Sequence, residues 1–307
     1  MTRPLTVSAP GSLMLLGEHA VLHGHPCLVA AVEQRVRVSL VPRNDGLVML
    51  TSALGEYEGE RDDLPDHPSF RFVLAVLRHH AQVLPGGMEV LITADMPATI
   101  GFGTSAAVTV AMCGAMHEAG DGRMAPATIL PEARAIIQHV QGRGSGADAA
   151  ASVMGGVVYY RMHDREPSVV THAPHPIAAL YCGYKTPTPE VIARVQSIWQ
   201  HRPAEVRCIY EAMAAAVETG RVALAAGDAM RFGRALDEGQ ERMRELGVST
   251  PELDTCVERL RRMPGVTGAK ISGSGLGDCA IGWGAGGVDP DFEQFSTTTA
   301  REGMRVE

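Results

Sequence analysis

Met96-Pro97-Ala98-Thr99-Ile100-Gly101-Phe102-Gly103-Thr104-Ser105-Ala106-Ala107-Val108-Thr109 sets a proline, a Gly-x-Gly turn and two hydroxyls directly before an apolar run. Gly101 and Gly103 let the backbone approach a ligand closely, and Thr104 or Ser105 suits an N-cap, so unpaired N–H groups and the positive helix end face an anion. The Ser105 hydroxyl also suits a magnesium ion carried by a nucleotide. The same residues spell Gly-x-Gly-x-x-Ala, the dinucleotide fingerprint, and they fit a plain capped core helix as well. The fingerprint wants its first glycine straight after a strand, yet residues 94–100, with Pro97 among them, separate Gly101 from the strand expected at 88–93. Asp121 lies near the place of a ribose-binding acid, but Gly120 and Gly122 flank it as in a turn.

Outward from this stretch, residues 105–117 form a helix apolar nearly all round, as for one buried between layers. On its N-terminal side, two strands at 5–8 and 13–16 flank a loop, 32–41 alternates as a half-buried strand, and 69–83 has helical spacing. On its C-terminal side come a helix at 131–141, a glycine turn at 142–148, a helix at 149–154 and a strand at 157–161. Residues 163–176, with three prolines, read as a linker between a nucleotide-binding domain over 1–165 and a second domain over 175–307. Helices are expected there at 189–199, 204–218, 228–246 and 251–263, and strands at 268–272 and 279–283 flank a third glycine turn, 273–278.

A chain of 307 residues, 45% hydrophobic and 20% charged, describes a soluble globular protein with room for two domains. Its net charge of -8 argues against a broad nucleic-acid or anionic-membrane surface. The apolar run at 13–16 meets Glu18 and His19 almost at once, so neither a signal peptide nor a membrane span is expected, and the compartment is the cytoplasm. Six cysteines, at 27, 113, 182, 208, 256 and 279, lack CxxC pairing and read as reduced, buried core thiols. His79-His80 and the other histidines show no zinc spacing.

If the three glycine turns meet at a cleft, they offer backbone donors to phosphates together with one carboxylate, Asp148. Following Gly144-Ser145-Gly146-Ala147, Asp148 reads either as a helix N-cap or as the base for a substrate hydroxyl. An ordinary aspartate, with a pKa of ~4, is ionised at neutral pH. Phosphoryl transfer asks little more of a protein than alignment and charge stabilisation. The motifs of P-loop enzymes, protein kinases and serine hydrolases do not occur.

Over nearly its whole length the chain resembles the GHMP small-molecule kinases. Ala9-Pro10-Gly11 through Gly17-Glu18-His19 is similar to their first motif, Pro97 through Ala107 to their phosphate loop, and Lys270 through Cys279 to their third motif. The resemblance implies ATP with Mg2+ as phosphoryl donor. It also implies an α+β two-domain fold, with an N-terminal ribosomal-S5-like left-handed βαβ domain and a ferredoxin-like C-terminal domain. Nucleotide contacts are then expected from Pro97, Gly101, Phe102, Gly103, Thr104, Ser105, Ala106, Gly273, Ser274 and Gly275. Acceptor contacts fall to Glu18, His19, Ser145 and Gly146, and metal contacts to Ser105 and Glu18.

Residues 17–24 look most like the mevalonate kinases, implying phosphorylation of the primary hydroxyl of mevalonate in isoprenoid precursor synthesis. Residues 141–148 and Gly277-Asp278-Cys279 are closer to phosphomevalonate kinases, whose anionic acceptor would call on Arg143 and Lys185. Two positions depart from the family pattern. Ser12 replaces the lysine that helps activate the acceptor, with Lys185 as candidate catalytic substitute, and Ile137 stands where mevalonate kinases carry a magnesium-binding glutamate. These departures keep open an inactive nucleotide- or metabolite-binding homologue, and an oxidoreductase is the remaining class. The expected partner is a small molecule, without nucleic acid or membrane, and homodimerisation is left open.

Overall fold

In the computed structural model, which describes residues 4–81, 86–96, 101–120, 122–162, 167–287, 289 and 291–307, β1 (Leu5–Leu16) is one continuous strand. The loop expected at Pro10-Gly11 is replaced by register shifts against β2 (Cys27–Arg43), between Pro10 and Gly11 and again between Met14 and Leu16. Bulges of this kind keep a proline within a ladder. β3 (Leu47–Ser52) and β4 (Gly55–Glu60) add a hairpin that the sequence reading lacks, followed by α1 (Arg71–His79) and β5 (Gly87–Ala94). β5 runs antiparallel to β2 and parallel to β3. α2 (Thr104–Gly120) is apolar on all sides, and α3 (Pro126–Gln141) and α4 (Ala147–Met154) pack beside it. β6 (Val157–Tyr160) then pairs with β2, and β7 (Ser168–Thr171) with β6.

The second half is built on another sheet. It comprises β8 (Pro176–Tyr181), α5 (Thr188–Trp199), α6 (Pro203–Ala225), α7 (Ala229–Leu246), α8 (Pro251–Arg262), β9 (Ala269–Ser272), β10 (Cys279–Trp283) and β11 (Glu293–Thr298). The four strands are antiparallel in the order β11-β8-β10-β9. β12 (Arg305–Val306) returns to pair with β1, so β7 and β12 both add to the first sheet from beyond residue 165.

Strand alternation assigns the cores. In the second sheet Ala178, Leu180, Ile271 and Ala280 face a cluster with Val191, Leu253 and Leu260 from α5 and α8. Ile177, Ala179, Ile281 and Trp283 point the other way and join Leu13, Leu15, Leu28 and Ala30 of the first sheet, so the two halves share apolar packing. Helices α1 to α4 cover the opposite face of the first sheet. Among the described residues no helix is long and apolar enough to cross a membrane. All six cysteines are free, but only four are buried: Cys208 is exposed on α6 and Cys182 is half-buried, which corrects the expectation of six core thiols.

Candidate active site

The starting turn of α2, the turn between α3 and α4, and the β9–β10 hairpin all line one cleft of about 270 Å³. The third turn is therefore both a hairpin and part of the cleft. Gly103 has φ +63°, and a Cβ there would lie 2.0 Å from Ser12 Oγ, so only glycine fits. Its carbonyl accepts from the N–H groups of Ala106 and Ala107, each at 3.0 Å. Gly103 thus takes the cap position expected of Thr104 or Ser105, because helical bonding begins at its carbonyl, and the two hydroxyls are left to the cleft. Thr104 Oγ1 is buried without a hydrogen-bond partner, a condition shared among the described residues only by Arg61 Nε. An orphaned hydroxyl beside a helix N-terminus fits an anionic oxygen or its metal.

Ala106 and Gly101 line the cleft too, whereas the Phe102 side chain turns inward against Phe295 and its carbonyl accepts from Ser12 N at 2.9 Å. Pro97 lies outside the described residues, as does Asp121. Gly273 and Ser274 line the cleft, but Gly275 backs onto Val248 instead, where Leu276 N donates to the Val248 carbonyl at 2.8 Å.

Asp148 does not cap α4. Gly146 occupies that position with φ +82°, and Asp148 sits in the first helical turn, where the helix end favours its charge. Its Oδ1 accepts from Ser12 Oγ at 2.8 Å across 136 positions of sequence. Burial pushes the Asp148 carboxyl above its ordinary range, opposed by the Ser12 hydroxyl and by the charge of Lys185. Ser12 thus stands beside the acid, in a place where it can donate a hydrogen bond but no charge.

Lys185 does return to the cleft, and its Nζ lies 2.8 Å from Asp278 Oδ2. The other oxygen of Asp278 accepts from Gly101 N at 3.0 Å. One carboxylate therefore holds both the phosphate loop and the lysine, in the manner of a bound anion. Asp278 has φ +75°, and its own N–H and carbonyl are tied to Tyr184 O and Cys182 N at 2.7 and 3.0 Å. The sequence Gly277-Asp278-Cys279 carries no local sign of this role, which shows only in the left-handed backbone of Asp278, uncommon at a non-glycine residue.

Glu18 lines the cleft as expected, yet its carboxylate is paired with Lys270, which is fully buried and also donates to the Ile271 carbonyl. Burial draws the Lys270 pKa down, and Glu18 opposes that. His19, buried with φ +58°, donates from Nε2 to the Ser274 carbonyl at 2.8 Å, and burial lowers its pKa. Ser145 and Gly146 line the opposite wall, where the Ser145 carbonyl accepts from Tyr160 Oη at 2.7 Å. Ile137 lines it as well, and Arg143 reaches Gln196 at 3.1 Å from an exposed position at the rim.

A cradle for phosphates facing an acid and a lysine belongs to an enzyme that transfers a phosphoryl group to a small molecule. "GHMP kinases N terminal domain" matches residues 70–156, "GHMP kinases C terminal" matches 221–293, and "Galactokinase galactose-binding signature" matches 2–42. Mevalonate kinase of Archaeoglobus fulgidus is 31% identical over 306 residues, spanning 99% of this chain and 100% of its own. In fold, the chain is similar to L. major mevalonate kinase in complex with R-mevalonate, with a TM-score of 0.79 at 23% identity over 98% of this chain and 96% of that one. It is likewise similar to Streptococcus pneumoniae phosphomevalonate kinase in complex with phosphomevalonate and AMPPNP, with a TM-score of 0.76 at 16% identity over 92% of each. The chain belongs to the GHMP kinase family, whose members use ATP as phosphoryl donor.

Proposed function

We propose that this chain phosphorylates the primary hydroxyl of mevalonate. The carrying observation is Asp148, brought from α4 to the cleft that the phosphate loop also lines and held there by Ser12. On this reading residues 1–165 supply the nucleotide cradle and the acid, and residues 175–307 supply Lys185, Asp278 and the turn at 273–274. Asp148 accepts the acceptor proton as transfer proceeds, and its raised pKa makes it a better base than an exposed aspartate. Lys185 brings the positive charge that Ser12 lacks, within Coulombic reach of Asp148. The freed hydroxyls of Thr104 and Ser105 fit a hard cation, and Mg2+ held there would neutralise phosphate charge. Glu18, engaged by Lys270, positions the acceptor wall through His19 rather than serving the metal.

Acceptor charge favours mevalonate over its phosphate ester. Among the described residues that line the cleft, Arg143 and Lys185 are the cationic side chains; with Lys185 at the reacting centre, Arg143 is left for a single carboxylate. The galactose-binding signature over 2–42 makes galactose the informative competitor. ADP release should therefore be measured with ATP and R-mevalonate, phosphomevalonate, homoserine or galactose. Mevalonate should lead in kcat/KM by at least about 100-fold, the discrimination that pocket shape alone can supply, and more where buried polar groups are left unpaired by the competitor. A lead for another acceptor reassigns the substrate, and no turnover with any of them points to a sensor built on the same scaffold.

A further inference from the structure

On the far side of the first half, three helices bring histidines and a glutamate together. His80 Nε2 and His117 Nε2 each lie 2.6 Å from a different oxygen of Glu132, and the rings of His80 and His117 stand edge to face at 5.2 Å. Donor atoms of His79, His80 and Glu132 all lie within 4.8 Å of one another. The Cys113 thiol lies beside the same carboxylate, one helical turn from His117 on α2. Glu132 and His80 are largely buried, while His79 is exposed at the end of α1. Burial opposes the charge on Glu132, yet hydrogen bonds from the two imidazoles hold its pKa at about 2. His117 lies twelve residues beyond Ser105, about 18 Å along the helix axis, so this cluster is separate from the cleft.

We propose that His79, His80 and Glu132 bind a divalent transition metal of the zinc type, with water completing the shell and His117 holding the second carboxylate oxygen in place. Two imidazoles and one carboxylate, with one position left for water, form a donor set that suits Zn2+ or Co2+ and is poorly matched to Mg2+. Their donor atoms already lie within 4.8 Å of one another. Ligation at about 2.0–2.1 Å sets tetrahedral donors about 3.3 Å apart, so the 2.6 Å contact of His80 with Glu132 need open by less than about 1 Å and the remaining separations close from at most 4.8 Å. Each ligating imidazole must then present a Nε2 lone pair, its proton moving to Nδ1 or to water, so affinity falls as pH drops. His79 offers the entry from solvent, and the bound ion would fasten the end of α1 to α3. The absence of zinc spacing among the histidines holds only locally, because the ligands come from two separate stretches, the end of α1 and the middle of α3.

The test is equilibrium dialysis of the full chain against micromolar ZnCl2 in buffer containing Mg2+, followed by elemental analysis. One zinc per chain is expected in the wild type and almost none in the paired substitution His80→Gln with Glu132→Gln. The wild-type melting midpoint should rise by about 5 °C at a hundredfold excess over Kd, and that of the variant should not move. Substoichiometric zinc in the wild type, or equal zinc in both proteins, overturns the site. Should the variant fail to fold, Co2+ loading of the wild type decides: intense visible bands of a four-coordinate ion support the proposal, and only the weak bands of hydrated Co2+ refute it.

Discussion

Two lysine–carboxylate pairs line or back the same cleft, and they differ in almost every physical respect. Lys270 and Glu18 are 0% and 3% exposed at the side chain, while Lys185 and Asp278 are 43% and 17% exposed. A charge taken wholly out of water is secure only while its partner remains, so the inner pair is a fixture that joins β9 to the start of the chain. The outer pair has water beside it and lies where phosphates would arrive, so it can exchange partners at little cost. The same residue types thus build a wall in one place and a movable contact in the other. Asp278 touches both Gly101 and Lys185, and an incoming phosphate would compete for the same two donors.

Substituting each lysine by methionine breaks this comparison at its strongest point. Lys270→Met leaves Glu18 buried and unpaired and should lower folding stability by about 3–5 kcal/mol, read by chemical denaturation. Lys185→Met should change stability by less than about 1 kcal/mol, yet lower kcat by about 100-fold through the loss of one charge at the reacting centre. Equal losses of stability in the two variants would erase the distinction.

A smaller effect sharpens the role of Ser12. With Asp148 as the proposed base, activity should rise as it ionises, and the Ser12 hydroxyl favours the ionised form. Ser12→Ala should move the acidic limb of the kcat profile upward by about one pH unit, the worth of a hydrogen bond to a charged group. An unmoved limb would mean that Ser12 does not tune the acid.

How much of this could be read from the chain depends on distance along it. The phosphate loop was legible because its glycines, hydroxyls and apolar helix lie within a few residues of each other. Thr104 and Ser105 were misread as caps, since sequence alone does not tell that Gly103, with φ +63°, would fill that place. The Ser12–Asp148 and Gly101–Asp278 contacts span 136 and 177 positions and leave no local pattern. The hairpin of β3 and β4 escaped for another reason. β4 is largely exposed, with three glutamates in Gly55-Glu56-Tyr57-Glu58-Gly59-Glu60, so it lacks the buried face that marks a strand.

The central claim is that Asp148 takes the proton of the acceptor hydroxyl, and Asp148→Asn tests it with little change of shape. Burial raises the Asp148 pKa, so the folded state binds this proton more tightly than the unfolded one. The stability it contributes is therefore lost as pH rises from the ordinary aspartate range through the raised value. At neutral pH the variant should consequently be no less stable than the wild type, which separates chemistry from folding. Single-turnover phosphorylation of mevalonate, measured beside ATP affinity by calorimetry, should fall by about 100-fold or more with nucleotide binding nearly unchanged. Transfer at the wild-type rate would contradict the account.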